Sequence, residues 1–489
     1  MKMKQLLLVG TIFFLVGCDD SLSTDMMQES SLQATQNIEE NSTDKDRFVK
    51  SKDVNLSSPI AFSKDAFNQY SIFPGHTLGS WGNTGAFVAL QESGEVVSWG
   101  EPLSGGDTTS LQDKLKEVDK IYSNAYAFAA LKKDATVVTW GRDIYGGDSS
   151  AVESNLKDVV SIFSTKSAFA ALRKDGSVVS WGGLVSGGDS SKVASKLYDV
   201  STIFSTECAF AALKKDASVV TWGNSECGGD SFELEQRLKN VVVIYSNAKS
   251  FVALKADGDI VVWGNSEFGA NASEIEKSVH NVVQIYSNRD SFVAITKDAE
   301  AFVWGGSSPN LYKFSDVKGV VSSWYGFALI KNDNSALFLS NGKSKSNIIG
   351  NVLSIAANAN SFLISTLDNR VLAISNSSNE AIELPIKADE IKNIASNNHA
   401  FAILKEDKSV FAWGYEEAGG EIDKELEEKL QDVVSIASTG GKELYSTGAF
   451  AALKEDGSVV TWGAKSYGGD SSAVQDKLQN IVYISSYNK

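Results

Sequence analysis

The sequence predicts an all-β repeat protein, a β-propeller of about ten hairpin units with short helices in the connecting loops and between seven and ten blades. The first observation is a period: Trp99, Trp140, Trp181, Trp222, Trp263 and Trp304, each followed by Gly, stand 41 residues apart. The second is the unit that each Trp closes, clearest in the segments AFAALRKDGSVVSW (168–181) and AFAALKEDGSVVTW (449–462). The third is the alternation of short apolar runs with turn residues from about residue 65 to the end. A fixed period of this length marks units that cannot bury their own apolar face and must stack on neighbours.

The elements follow in chain order. Lys2 and Lys4 precede an apolar run, Leu6 to Val16, interrupted only by Gly10 and Thr11. That is the pattern of an export signal over residues 1–17, too short to span a bilayer. The run ends Leu15-Val16-Gly17-Cys18, which resembles a bacterial lipobox and implies lipidation of Cys18 as the mature N-terminus, an ordinary secretory signal being the alternative. Asp19 and Asp20 resemble the inner-membrane retention signal of enterobacterial lipoproteins, which implies the periplasmic face if the host is Gram-negative. Residues 18–64 are Ser, Thr, Asn, Gln, Asp and Glu with few large apolar groups. Such a segment cannot offset its chain entropy and is expected to be a disordered tether. Residues 65–489 form the repeat domain.

Within a unit, Asp158–Ser164 reads as a β-branched strand A, and Ala168–Leu172 as strand B. Lys174-Asp175-Gly176 is a tight turn, and Ser177–Trp181 is strand C. Gly176, or Ala135 and Ala217 in sister units, must take up the backbone reversal. Both faces of B and C are apolar, so each sheet is expected to be covered on both sides. Their alanines let neighbouring blades approach closely. After the Trp comes Gly146-Gly147-Asp148-Ser149-Ser150, repeated at 187–191, 228–231 and 468–472, with apolar pairs such as Val152/Leu156 beyond it. This spacing predicts an Asp or Ser N-cap and two turns of amphipathic helix. A phosphate or calcium loop would need a Gly-Lys-Ser/Thr ending or spaced acidic ligands, which the block lacks.

Eight hairpins end in Trp-Gly, the last two at Trp413 and Trp462; two more, ending near Leu339 and Ile374, read as eroded copies. Strand A recurs once more than the hairpins do, because the chain finishes on Ile481–Ser485. A terminal strand without its own hairpin is the expected device for joining the ends of a ring. The tryptophans, fixed at one strand position, read as blade-core aromatics rather than a carbohydrate-stacking ladder.

These residues resemble the repeat of the regulator of chromosome condensation family, a propeller family, over roughly residues 65–489. The 41-residue unit is more similar still to the secreted β-lactamase inhibitor proteins built of such repeats. The family's usual seven blades differ from the ten hairpins counted, and its common Gly-Gln-Leu stretch is replaced by Gly-Gly-Asp-Ser. Nucleotide exchange and chromatin binding, known for some members, are not carried over to an exported acidic chain.

The formal charge of −16, with 61 Asp and Glu against 45 Lys and Arg, excludes a basic nucleic-acid footprint and docking on anionic lipid heads. No cofactor or metal is expected: His76, His280 and His399 lie in unrelated contexts, and no His-Glu-x-x-His, Gly-x-Ser-x-Gly or Gly-x-Gly-x-x-Gly occurs. Cys208 and Cys227 fall near the open end of one hairpin, where a bridge or two buried thiols are both compatible with an exported chain.

The variable positions point to function. Strand order A, B, C brings the A–B loop and the post-Trp loop to one end of each blade, and there the units differ. The expected partner-binding residues are Tyr126, Tyr145, Lys166, Glu207, Lys249 and Arg289. The opposite end carries uniform Lys-Asp-Gly-type turns. A rigid scaffold with one variable loop face suits a membrane-tethered protein binder of inhibitor, scaffold or adhesin type rather than an enzyme. An envelope-assembly lipoprotein, resembling propeller lipoproteins of outer-membrane assembly, is the second reading. A propeller lyase or glycan hydrolase, which would need an acid or His cluster converging from several units, is the third.

Overall fold

The computed structural model describes residues 82–485 apart from 307, 341–342, 377–379 and 440–446. The signal, Cys18, the tether and His76 lie outside the described residues. The described strands form ten antiparallel sheets, seven of three strands and three of four. In blade 3, strand A (Val159–Ser164) pairs with B (Ala168–Arg173), and B with C (Val178–Gly182). Every other blade repeats this order.

Strand B is the buried middle of each blade, and its alternation couples neighbours. Ala127, Ala129 and Leu131 of blade 2 pack against Ile162, Phe169, Ala171 and Trp181 of blade 3. Residues on the other face of the same blade 3 strand, Ala168, Ala170 and Leu172, meet Ile203, Phe210, Ala212 and Trp222 of blade 4. The core is therefore a series of inter-blade layers, as the two-sided apolar pattern requires. The series closes. Blade 1 (Ala86–Gln91 and Val96–Gly100) packs on blade 2 through Ala86 and Val88, and on blade 10 through Phe87, Ala89 and Trp99. Ile481–Ser485 fills the strand A position of blade 1, pairing Ala89 with Ile484. The terminal strand thus completes the first hairpin.

Polar belts reinforce the ring. Ser164 Oγ donates to Ser123 O, Ser205 Oγ to Ser164 O, and Ser246 Oγ to Ser205 O, each at 2.7 Å and each one repeat back. At the turn end, Val159 N–H donates to Ala135 O of the preceding blade at 3.1 Å, and Val200 to Gly176 at 3.0 Å. Ala135 and Ala217 hold φ of 63° and 60° there, which is how alanine takes the turn position.

Phe169 stacks on Trp181 with ring centroids 5.2 Å apart, and Trp181 Nε1 donates to Gly146 O of the preceding blade at 3.1 Å. The same bond ties Trp99 to Gly468 across the closure. Gly146 itself sits at φ +99°, where a Cβ would meet Phe169 Cδ2 at 2.7 Å, so the position excludes every other residue. Trp413 departs from the expected core placement. It is half-buried, and the segment after strand C of blade 8, residues 375–380, contains no glycine equivalent to Gly146.

Two expectations are corrected. The Gly-Gly-Asp-Ser-Ser blocks do not cap α-helices. Asp148 Oδ1 accepts Ser150 N–H at 2.8 Å in a local turn, and 3-10 helix without a side-chain cap follows the blocks, one turn at Glu153–Asn155 and Phe232–Leu234 and the expected two turns at Ser191–Lys196 and Ser472–Lys477. Gly, Ser and Asp compete for backbone bonds and weaken a short helix. The described α-helices, Ala272–Ser278 and Lys424–Lys429, occur where Glu and Lys replace them, and in the second Asp423 does cap, accepting from Leu426 N–H at 2.8 Å. The units ending near Leu339 and Ile374 are not degraded blades. In blades 6, 7 and 8 a fourth strand (Ser308–Phe314, Lys343–Ile349 and Ala381–Lys387) pairs with strand C and replaces the Gly-rich block.

Candidate functional site

The loop end of the blades that carry a post-Trp turn is built on one residue that the sequence pattern alone did not single out. Asn124, the last residue before the variable A–B positions, accepts the N–H of Tyr126 and of Ala127 at 2.9 Å through Oδ1. Its Nδ2 donates to Tyr145 O at 2.7 Å. The A–B loop is thereby fastened to the post-Trp turn. Asn247 bonds Phe268 O, and Thr165 and Thr206 bond Ser186 O and Cys227 O, in the same way. The signal was present: Asn or Thr recurs at 41-residue spacing three residues before strand B.

On this clamp the expected residues fall into two rows. Lys166, Glu207 and Arg289 share a register with Ala125 and Ala248, and their backbones link the blades. Lys166 N–H donates to Glu207 O at 3.0 Å, Glu207 to Ala248 at 2.9 Å, and Ala248 to Arg289 at 3.1 Å. Tyr126 and Lys249 belong to the next register, which faces the post-Trp turn. All six side chains named from the sequence, Tyr145 included, are half-buried.

The facing slot takes four chemistries on one backbone. In blade 2, Tyr126 and Tyr145 lie with ring centroids 4.5 Å apart, and Arg142 Cζ sits 5.3 Å and 5.7 Å from them. In blade 3 the pair is Ser167 and Ser186, their hydroxyls 2.9 Å apart. Blade 4 carries the disulfide Cys208–Cys227, with Cα atoms 5.7 Å apart, and blade 5 sets Lys249 Nζ 5.0 Å from the Phe268 ring. Beside Arg289, burial holds the Asp290 carboxyl above the usual range, against the lowering pull of its Ser291 hydrogen bond and of Arg289.

The turn end is uniform by contrast. Asp175 Oδ1 accepts from Ser177 N–H at 2.9 Å and from Ser177 Oγ at 2.6 Å, which holds its carboxyl below the ordinary value. Asp134, Asp216, Asp407 and Asp456 repeat this with Thr136, Ser218, Ser409 and Ser458. His280 pairs with Asp259 at 2.9 Å, whereas His399 meets Asn360 at 3.1 Å at the loop end, so the two histidines share no site. Among the described residues no three His, Cys, Asp or Glu side chains gather as a metal would need.

The strand pairing and the closed series of inter-blade cores define a ten-bladed β-propeller. Similar solved structures include Prp20p from Saccharomyces cerevisiae, studied with its binding to Gsp1p and histones; it is 15% identical, covering 70% of this chain and 83% of that one, with a TM-score of 0.29. The structure of Kap60 bound to yeast RCC1 (Prp20) matches at 16% identity over 78% of this chain and 90% of that one, TM-score 0.32. Human WBSCR16 matches at 13% over 76% and 99%, TM-score 0.31. No family model and no curated protein matches the sequence.

Proposed function

We propose that this chain is a lipid-anchored, extracytoplasmic protein-binding propeller of inhibitor, scaffold or adhesin type. It acts through the loop end of its blades rather than by catalysis. The observation that carries the reading is the slot between the A–B loop and the post-Trp turn. An aromatic pair with Arg142, a hydroxyl pair, a disulfide and a Lys–Phe contact occupy it in four successive blades, while the backbone beneath is constant. A site assembled from unlike chemistries on a rigid frame suits recognition of one irregular surface. Catalysis by residues from several blades would instead need matched groups to converge.

Anchoring rests on the Leu-Val-Gly-Cys end of the signal, with Cys18 lipidated and the chain held on the periplasmic face of the inner membrane in a Gram-negative host. A protein partner in the envelope or outside the cell, and not nucleic acid, fits the acidic balance. Two preparations test this. Cys18→Ser is expected to move the protein from washed membranes to the soluble fraction. Partners cross-linked and co-purified with the wild type are expected to be lost from Tyr126→Ala/Tyr145→Ala and kept by Lys174→Ala/Asp175→Ala. Loss in the turn variant with retention in the loop variant would place binding at the other end.

A further inference from the structure

Among the described residues, the middle position of the post-Trp 3-10 turn is apolar in blades 1, 2 and 3 and polar in blades 4, 5, 9 and 10. Leu103, Ile144 and Val185 occupy the middle of equivalent 3-10 turns in blades 1, 2 and 3, and are 61%, 68% and 71% exposed; Leu184, beside Val185, is 73% exposed. Nothing in the fold asks for this. In blades 4 and 5 the same middle position is held by exposed Glu226 and Glu267, on turns entered from the same extended conformation and ended by the same left-handed glycine. An Asn side chain caps the turns of blades 4 and 5, but blade 9 builds the same turn with exposed Glu417 at the middle position and, as in blades 1 to 3, no side-chain cap, so the turn does not require the apolar tips.

The tips are neighbours around the ring. Each turn ends in the glycine whose carbonyl receives the Trp of the next blade, as Gly105 receives Trp140 Nε1 at 3.0 Å. The next turn leaves from the end of that Trp strand. Leu103, Ile144 and Val185 therefore follow one another along the rim, and Glu226 and Glu267 continue it. Set back from Ile144, the Tyr126–Tyr145 pair with Arg142 offers the side-chain types that most often anchor interfaces.

We infer that blades 1 to 5 form a two-part docking sector. Its occupant is a protein segment that lays aliphatic or aromatic side chains on Leu103, Ile144 and Val185 and directs Lys or Arg at Glu226 and Glu267. This deepens the reading proposed above and rests on it. Charge complementarity selects the occupant. An anionic membrane surface would meet the apolar tips but be repelled by the two carboxylates and by a chain of net charge −16, whereas a basic-apolar segment satisfies both parts.

The test uses the full chain immobilised through its N-terminal region and a displayed library of random 16-residue peptides. Enriched peptides are expected to combine apolar residues with Lys or Arg. Their affinity is expected to fall about tenfold or more with Ile144→Glu/Val185→Glu, and also with Glu226→Lys/Glu267→Lys, which should favour acidic peptides instead. Both variants place a charge at a position where sister blades carry one in the equivalent turn, and unchanged melting would confirm their fold. Peptides without basic residues, or binding that survives both variants, would overturn the sector. If binding is lost with Tyr415→Ala in blade 9 and not with these variants, the loop end is right and the sector wrong. Loss only with Lys174→Ala/Asp175→Ala would sink both. Flotation of the wild type with phosphatidylcholine–phosphatidylglycerol vesicles, abolished by Ile144→Glu/Val185→Glu, would make the occupant a membrane and overturn the assignment.

Discussion

Emptying one inter-blade aromatic site tests how the propeller holds together. Trp181 is buried, stacks on Phe169 and donates to Gly146 O of the preceding blade. Trp181→Ala removes a large buried ring, which costs about 3–5 kcal/mol, and leaves the Gly146 carbonyl without its donor, adding about 1 kcal/mol. Trp181→Phe keeps most of the apolar contact and loses the donor, so about 1–2 kcal/mol is expected. Trp413 is half-buried and has no glycine to bridge, so Trp413→Ala is expected to cost roughly half as much as Trp181→Ala. Urea denaturation followed by circular dichroism measures all three as midpoint shifts at constant slope. Hydrogen exchange in Trp181→Ala should rise first in strands B and C of blades 2 and 3, since stability in such arrays is shared between neighbours. If Trp413→Ala matches or exceeds Trp181→Ala, or Trp181→Phe is indistinguishable from the wild type, the bridging role is wrong.

The remaining predictions concern closure, the bridge and pH. Deleting 481–489 removes the strand paired with Ala86–Gln91, so a sharply lower midpoint or edge-to-edge oligomers in light scattering are expected; an unchanged monomer would mean the ring does not depend on it. Cys208→Ser/Cys227→Ser is expected to fold, because Ser167 and Ser186 occupy the same slot, and to lose up to about 3 kcal/mol for a span of 19 residues, read as a urea midpoint shift. The turn aspartates, held low by their Ser and Thr partners, release protons more readily folded than unfolded. Their contribution is present above the unfolded value near 4 and is lost as pH falls through the lower folded values. Asp175→Asn should therefore flatten the acid limb of the stability curve, and an unchanged limb would refute the linkage. Asp290 runs the other way: its raised carboxyl contributes stability that is lost as pH rises, so Asp290→Asn should gain stability at neutral pH.

The strands and their period were legible because they are written locally. Trp181-Gly182 and Lys174-Asp175-Gly176 mark strand ends by chemistry that needs no tertiary information, and the spare Ile481–Ser485 announced the closure. The outer elements were not. Val152 and Leu156 suggest a helical face, yet the Gly, Ser and Asp around them favour local turns over four-residue backbone bonds. The fourth strand of blades 6 to 8 has no periodicity distinct from a loop and exists through pairing with strand C. The loop-end residues could be chosen as variable from the sequence, but Tyr126 could not be paired with Tyr145, nor the Cys208–Cys227 bridge decided against two free thiols, because both depend on the Asn and Thr clamps beneath them. Trp413 looked like its sisters because its departure originates in the preceding blade.

A photo-crosslinking scan tests the central claim, that the loop end receives a protein partner. A photoreactive residue placed singly at Tyr126, Ile144, Val185 and Glu207, and at Lys174, Lys215 and Asp456 on the opposite turns, is activated in intact cells. Discrete crosslinked species are expected at the loop positions and not at the turns. Crosslinks confined to the turns, or equal at both ends, would contradict it.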